Sequence, residues 1–237
     1  AYVPVLKCVM EYCGQSSSGT VGRRLFFQPG APEELQVSIS GKEILVQAGS
    51  LNAFLRGVGC AAAGMEVKER IPFSTLGVLL DCSRNRVYKP EFLKKFLTQI
   101  ALAGYNQLML YTEDVYELPD EPAFGYMRGR YSAAEIRKIE QYASRLGIEL
   151  CACIQTLGHM EHLFTHHQYA GIRDTGGILL ADEEKTYALL DKMIHFWSKA
   201  LPSGKLHIGM DETHDLGRGK HLDRHGFEPS SEIYLRH

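Results

Sequence analysis

Asp211 and Glu212 stand side by side after the run Lys205-Leu206-His207-Ile208-Gly209-Met210, with Thr213 and His214 following. A short apolar run that leads into two acids reads as a buried strand whose end delivers them to a pocket. Carboxylates are seldom buried away from solvent, a partner charge or a ligand. Two close carboxylates can divide labour. Each raises the pKa of the other, so one tends to keep a proton for acid–base work while its neighbour stays ionised. Further polar groups follow other apolar runs: Asp81 and Arg84, then Glu113 and Asp114, then His159. A guanidinium such as Arg84 presents a planar fork suited to adjacent hydroxyls. The stretch Glu113 to Tyr131 mixes acids with Tyr116, Phe124, Tyr126 and Tyr131, a composition suited to sugar faces and hydroxyls. Gly158 to Ala181 carries His159, His162, His166 and His167; the last three read as residues of a solvated turn. No metal or other cofactor is expected, because neither His-Glu-x-x-His nor Cys-x-x-Cys occurs.

The elements that must position these groups follow from periodicity. From Ile71 onward, apolar runs alternate with amphipathic helices. Strands are expected at Leu76–Leu80, Gln107–Tyr111, Ile148–Ile154 and the run before Asp211. Pro90 opens a helix with the stripe Phe92, Leu93, Phe96, Leu97, Ile100 and Ala101. Ser132 and Glu135 form a capping box ahead of Ile136, Ile139, Ala143 and Leu146. A third helix starts near Asp182 and lines Leu189, Leu190, Met193, Ile194, Trp197 and Leu201 on one face. Four βα units in succession mean a parallel sheet, open or closed into a barrel. No Gly-rich phosphate loop follows the first strand, which counts against a nucleotide-binding open sheet. In a β/α barrel the C-terminal strand ends form one rim, where Asp81, Arg84, Glu113, Asp114, His159, Asp211, Glu212 and His214 would meet.

Residues 1–70 read as a small α/β accessory domain ahead of 71–237. Val3–Met10 is expected as a strand and Gln15–Gly19 as a loop. Leu35–Ile39 and Glu43–Gln47 form a hairpin, and Ser50 caps a helix. The 237 residues are 45% hydrophobic and 23% charged, with a formal charge of -2, so nothing favours nucleic acid or an anionic membrane as partner. No apolar run nears the ~18 residues of a membrane span. The six cysteines, Cys8, Cys13, Cys60, Cys82, Cys151 and Cys153, read as small buried residues of a reduced protein. With no signal-peptide pattern, a cytoplasmic location is expected.

His207-x-Gly209-x-Asp211-Glu212 at a strand end resembles the signature of glycoside hydrolase family 20, the retaining β-N-acetylhexosaminidases. Asp81-Cys82-Ser83-Arg84 is similar to the segment after the family's first barrel strand, and Gly158-His159 to a Gly-His pair after its third. The run Gln155 to His162 resembles a branch of intracellular-type exo-hexosaminidases. The resemblance implies an α/β fold: a small domain, then the first half, four βα units, of a (β/α)8 TIM barrel. It implies exo-hydrolysis of terminal β-linked N-acetylhexosamine, with the sugar's acetamide as nucleophile. Glu212 is then acid and base, Asp211 orients the acetamide, and Arg84 binds hydroxyls. Asp114 pairs with His159 to position Glu212, and His214 lines the pocket. The family's tryptophan-lined acetamide pocket has no counterpart, since the sole tryptophan, Trp197, lies on a helix stripe. A half-barrel has open edges and exposes Val78, Leu80, Leu108 and Leu110, so self-association or a complementary barrel half is expected. Two other readings stand beside this one: a catalytically incomplete carbohydrate-binding fragment, and another barrel hydrolase using Glu212.

Overall fold

The computed structural model describes residues 3–12 and 22–237. The Gln15–Gly19 loop expected from the sequence lies outside them. Val3–Tyr12 is a helix, α1, where alternation predicts a strand. Helical spacing decides it: Val5 and Val9, four apart, are both buried, and Pro4 suits a first turn.

Next come β1 (Arg24–Pro29), β2 (Glu34–Ser40), β3 (Glu43–Ala48), α2 (Leu51–Ala62) and β4 (Val67–Arg70), with sheet order β1-β3-β2-β4. The expected hairpin is β2–β3, antiparallel, with buried Val37 opposite buried Val46. Ser50 caps α2 by accepting a hydrogen bond from the Ala53 N–H at 3.2 Å. The sequence does not announce the outer strands. β1 ends at a proline, and β4 reads Val-Lys-Glu-Arg. Proline and charge are features of sheet edges, and they erase the alternation that marks a strand.

The second sheet has β5 (Gly77–Asp81), β6 (Gln107–Tyr111), β7 (Glu149–Cys153) and β8 (Leu206–His207), side by side in chain order. Between them lie α3 (Pro90–Leu102), α4 (Ala133–Arg145) and α5 (Glu184–Ala200); α6 (Lys220–His225) and α7 (Ser230–Arg236) follow. The Ser132–Glu135 capping box forms as expected: Glu135 Oε2 accepts from the Ser132 N–H at 2.9 Å, and Ser132 Oγ accepts from the Glu135 N–H at 3.2 Å. α5 starts at Glu184, close to Asp182 as expected, and the Asp182 carboxylate pairs with Arg236. On α5 the expected stripe buries Leu189, Leu190, Met193 and Trp197, but Ile194 is exposed.

Contacts group the chain into two compact units. One takes the described residues up to Val78 with Lys89–Leu108 and Lys138–Leu150; the other takes Leu79–Tyr88, Met109–Arg137 and Cys151–His237. In the first, the starts of the strands pair: the Gln107 N–H donates to Leu76 O, and the Glu149 N–H to Asn106 O. In the second, the ends pair: the Cys82 N–H donates to Tyr111 O, Thr112 N–H to Cys153 O, and Ile154 N–H to His207 O. Both sets run in the same sense, so the sheet is parallel.

Leu108 and Leu110 are fully buried, contrary to the expectation of exposed faces, and Val78 and Leu80 are half-buried. The exposed position is Leu79, at 52%, with Met109 half-buried. Alternation explains the exchange. Even-numbered residues of β5 and β6 face covered sides, and the odd-numbered set faces the open one.

Candidate active site

Asp81, Tyr111, Gln155 and Asp211 all lie at or just past the C-terminal ends of their strands, with Tyr111 and Gln155 buried and Asp211 exposed. The strand before the acids is shorter than the sequence implies. β8 ends at His207 because Gly209 (φ +77°) and Met210 (φ +83°) turn the chain away. A Cβ on Gly209 would lie 2.3 Å from Gln155 Oε1 and 2.6 Å from Ile154 O, so only glycine fits this turn. Glu212 (φ +55°) and His159 (φ +58°) are left-handed too. Such backbone costs about 1–3 kcal/mol per residue and collects where function requires a particular aim.

Gln155 links the pieces of the turn. Its Oε1 accepts from the Met210 N–H at 3.2 Å, and its Nε2 donates to Asp211 Oδ1 at 2.9 Å. His159 Nε2 lies 3.3 Å from Asp211 Oδ2 and 3.6 Å from Glu212 Oε2, so one ring nitrogen touches both acids. Gly158 lets the loop bearing His159 approach: a Cβ there would come within 2.7 Å of Asp211 O. Both acids stay open to solvent, with side chains 58% (Asp211) and 70% (Glu212) exposed. Partial burial pushes the Asp211 pKa up. The hydrogen bonds from Gln155 and its own backbone, together with His159, outweigh that and hold it below the usual carboxylate value.

Beside this pair lies a second group of contacts. Arg84 donates to the Tyr111 hydroxyl at 3.2 Å and sits near Asp81 (3.5 Å) and Glu113 (3.8 Å). Asp81 Oδ1 in turn accepts from the Ser83 and Arg84 N–H groups, fixing the turn that aims the arginine. Asp114 departs from expectation. It is buried and bound by Arg128, which also reaches Glu113 and Ser83 O. His159 pairs with Asp211 and Glu212 instead. A buried carboxylate needs a cation at contact distance, and Arg128, from the Glu113–Tyr131 loop, supplies it. Burial raises the Glu113 pKa, and the nearby Arg128 charge opposes the rise.

Other expectations divide. His214 is exposed and, among the described residues, joins no hydrogen bond or ion pair of the cluster. His207 is exposed, with Nδ1 accepting from the Gly209 N–H. Tyr116, Phe124 and Tyr131 do not form a sugar platform. All are buried, with Tyr116 against Phe124, Phe196 and Trp197 at centroid distances of 5.0–5.2 Å. A long loop must bury its own apolar groups to hold a shape, and these aromatics do so; Tyr126 alone of the four is exposed. Trp197 is a core residue, as its place on the α5 stripe implies. Among the described residues no group of three or more His, Cys, Asp or Glu could hold a metal ion, and no helix is long and apolar enough to cross a membrane. Cys60, Cys82, Cys151 and Cys153 are buried, as expected; burial pushes the Cys82 thiol up to about 12 and that of Cys153 to about 11. Tyr111, Gln155 and Arg128 are the site residues that sequence reasoning passed over. Tyr111 and Gln155 were legible as residues at or just past strand ends. Arg128 carried no such signal.

No protein-family model matches the chain. Hexosaminidase D of Homo sapiens is 31% identical over 138 residues, covering 56% of this chain and 28% of that protein. Hexosaminidase D of Bos taurus is 28% identical over 135 residues, covering 54% of this chain and 38% of that protein. The chain thus spans well under half the length of these curated relatives. Among solved structures, a GH20 exo-β-N-acetylglucosaminidase from Vibrio harveyi, in complex with N-acetylglucosamine, has a TM-score of 0.74 at 16% identity, over 97% of this chain and 45% of its own. The GH20 β-N-acetylhexosaminidase of Streptomyces coelicolor A3(2) gives 0.67 at 19% identity, over 96% and 58%. The chain has the α/β fold of part of these enzymes, and the relatives and neighbours named here are glycosidases.

Proposed function

We propose that this chain carries the N-terminal half of the active site of an exo-acting, retaining β-N-acetylhexosaminidase. The observation that carries the reading is the Asp211–Glu212 pair, touched on both members by His159 and set beside Arg84 on one rim of strand ends. Sequence similarity to the hexosaminidase D proteins supports it.

In this mechanism the acetamide oxygen of the terminal sugar attacks its own anomeric carbon, and the bond to the leaving oxygen breaks. Glu212 gives that oxygen its proton. Asp211, kept ionised by the Gln155 amide, accepts a hydrogen bond from the acetamide N–H and offsets the charge of the oxazolinium ion. Glu212 then takes a proton from water, which opens the ring at the same carbon with net retention. This substrate-assisted route is an exception to the two-carboxylate scheme of most glycosidases. Arg84 holds hydroxyls of the sugar. The substrate class is glycans ending in β-linked N-acetylhexosamine.

The open odd-numbered face, with Leu79 exposed, supports a further half-barrel packing there. That half comes from additional chain, a second copy or a complementary polypeptide, and it would wall the acetamide pocket. The 237-residue chain alone is expected to act as an incomplete sugar-binding site with little turnover. Full activity in a monomer of this mass would overturn that part.

The test compares an aryl N-acetyl-β-glucosaminide with the matching aryl β-glucoside, using the natural full-length protein that contains this sequence. Removing the internal nucleophile should slow turnover by at least ~100-fold, given the size of intramolecular advantages. Similar rates on both substrates would assign the nucleophile to a protein carboxylate and reject the mechanism.

A further inference from the structure

The Tyr111 hydroxyl sits between the two halves of the cluster. It accepts from Arg84 Nη2 at 3.2 Å and from Gln155 Nε2 at 3.1 Å, and it donates to Glu113 Oε1 at 3.3 Å. A phenol has one proton to give and can accept twice, so all its capacity is committed inside the protein. Burial above all, with Glu113 adding to it, drives the Tyr111 pKa well upward, so the proton stays on. The Arg84 guanidinium carbon also lies 4.9 Å from the Tyr111 ring centroid. Gln155 spends its second contact on Asp211, 2.9 Å away. One hydroxyl therefore borders the chain of contacts on both sides, Arg84 on one and Gln155–Asp211 on the other.

We propose that Tyr111 is a positioning residue that sets Arg84 and Asp211 together, so that grip on the sugar hydroxyls and orientation of the acetamide are coupled through one phenol. The coupling rests on the glycosidase reading given above. The placement of the two side chains does not. Glu113 is the acceptor that directs the Tyr111 proton away from Arg84 and Gln155, leaving both hydroxyl lone pairs for them. Arg128 lies 3.5 Å from the other oxygen of that carboxyl, opposing the pull of burial toward the neutral acid. Tyr111 is buried, and in this proposal it acts only through the side chains it holds.

The test uses Tyr111→Phe, Gln155→Leu and the double variant in the natural full-length protein, with an aryl N-acetyl-β-glucosaminide as substrate. Tyr111→Phe keeps the ring and its contact with Arg84 and removes only the hydroxyl. It is expected to raise KM and lower kcat, each by roughly 10-fold, the scale of one hydrogen bond to a charged or buried group. Gln155→Leu is expected to lower kcat and leave KM near wild type. In the double variant the kcat losses should combine to less than their product, because both changes cut the same link. Fully multiplicative losses, or a Tyr111→Phe enzyme within about twofold of wild type in both constants, would overturn the proposal. A crystal structure of Tyr111→Phe gives a readout independent of turnover: Arg84 and Gln155 should both leave their wild-type rotamers. Unmoved side chains would overturn the positioning role. A wild-type protein inactive on the substrate would reject the glycosidase reading, and the crystallographic comparison would then decide the role of Tyr111.

Discussion

Replacing Arg128 with methionine isolates one buried cation whose loss can be worked through. Arg128 is 17% exposed and faces Glu113 (8%) and Asp114 (5%), and it also donates to Ser83 O. Methionine keeps much of the apolar stem, so the change is mainly electrostatic. Removing one member of a buried ion pair costs about 3–5 kcal/mol, because the remaining charge has no compensation. Two carboxylates share this arginine, so the upper part of that range is expected at pH 7. The loss should depend on pH. Burial already holds the Glu113 pKa above its ordinary value, and Arg128 is the leading influence restraining it. A carboxyl whose pKa is raised by folding binds its proton more tightly in the native state, so it favours folding at acid pH. That contribution fades as pH rises from the unfolded carboxylate range through the native pKa. Without Arg128 the native pKa moves higher still, and the fading reaches further toward neutrality. Urea unfolding of wild type and Arg128→Met at pH 7 and pH 5 should therefore give a stability gap that narrows at pH 5. A gap under about 1 kcal/mol at pH 7, or an equal gap at both pH values, would refute the reasoning.

Three further outcomes are expected. Glu212→Gln in the full-length protein should lose roughly 100- to 10,000-fold on substrates with poor leaving groups and much less on activated aryl glycosides; equal losses on both, read from kcat/KM, would reject its acid role. Arg84→Lys should raise KM by about 10-fold although the charge is kept, because one ammonium cannot reproduce a planar fork; unchanged kinetics would place Arg84 outside the sugar site. Asp174→Ala should lower thermal stability by several degrees, since this buried carboxylate accepts from the Gly217 N–H at 2.7 Å and the His221 N–H at 2.9 Å in the segment after the acid pair. An unchanged melting temperature would show that those amides find other partners.

Covered strands and amphipathic helices were legible because burial imposes a period on the sequence. β6 falls where the run Gln107–Tyr111 predicts it, and Ile136, Ile139, Ala143 and Leu146 are buried as their spacing requires. Edge elements were not, since solvent on one side removes the constraint that writes a pattern. β1 and β4 are of this kind, and α1 was misread because Val3 and Val5 alternate by chance within a helical spacing. At the site, strand-borne groups were legible in part: Asp211, Glu212 and Arg84 lie at the rim. Asp114 lies beside it but is buried by Arg128, a partner from a loop whose fold no local pattern encodes. The aromatic residues of that loop had the right chemistry for sugars and the wrong location, because composition does not say which side of a loop faces inward.

β8 has only two paired residues, matched Ala152 with Leu206 and Cys153 with His207. It is the shortest strand of its sheet, and it stands at an edge. The acid pair therefore hangs from the part of the sheet with the least cooperative protection. Amide hydrogens there should exchange with solvent deuterium sooner than those of β6 or β7. The aim of Asp211 and Glu212 depends on side-chain ties from Gln155 and His159 more than on the ladder itself. A strand added along the free edge of β8 would convert that loosely tethered hinge into interior sheet, making the rigidity of the acid pair a reporter of whether its neighbour has arrived.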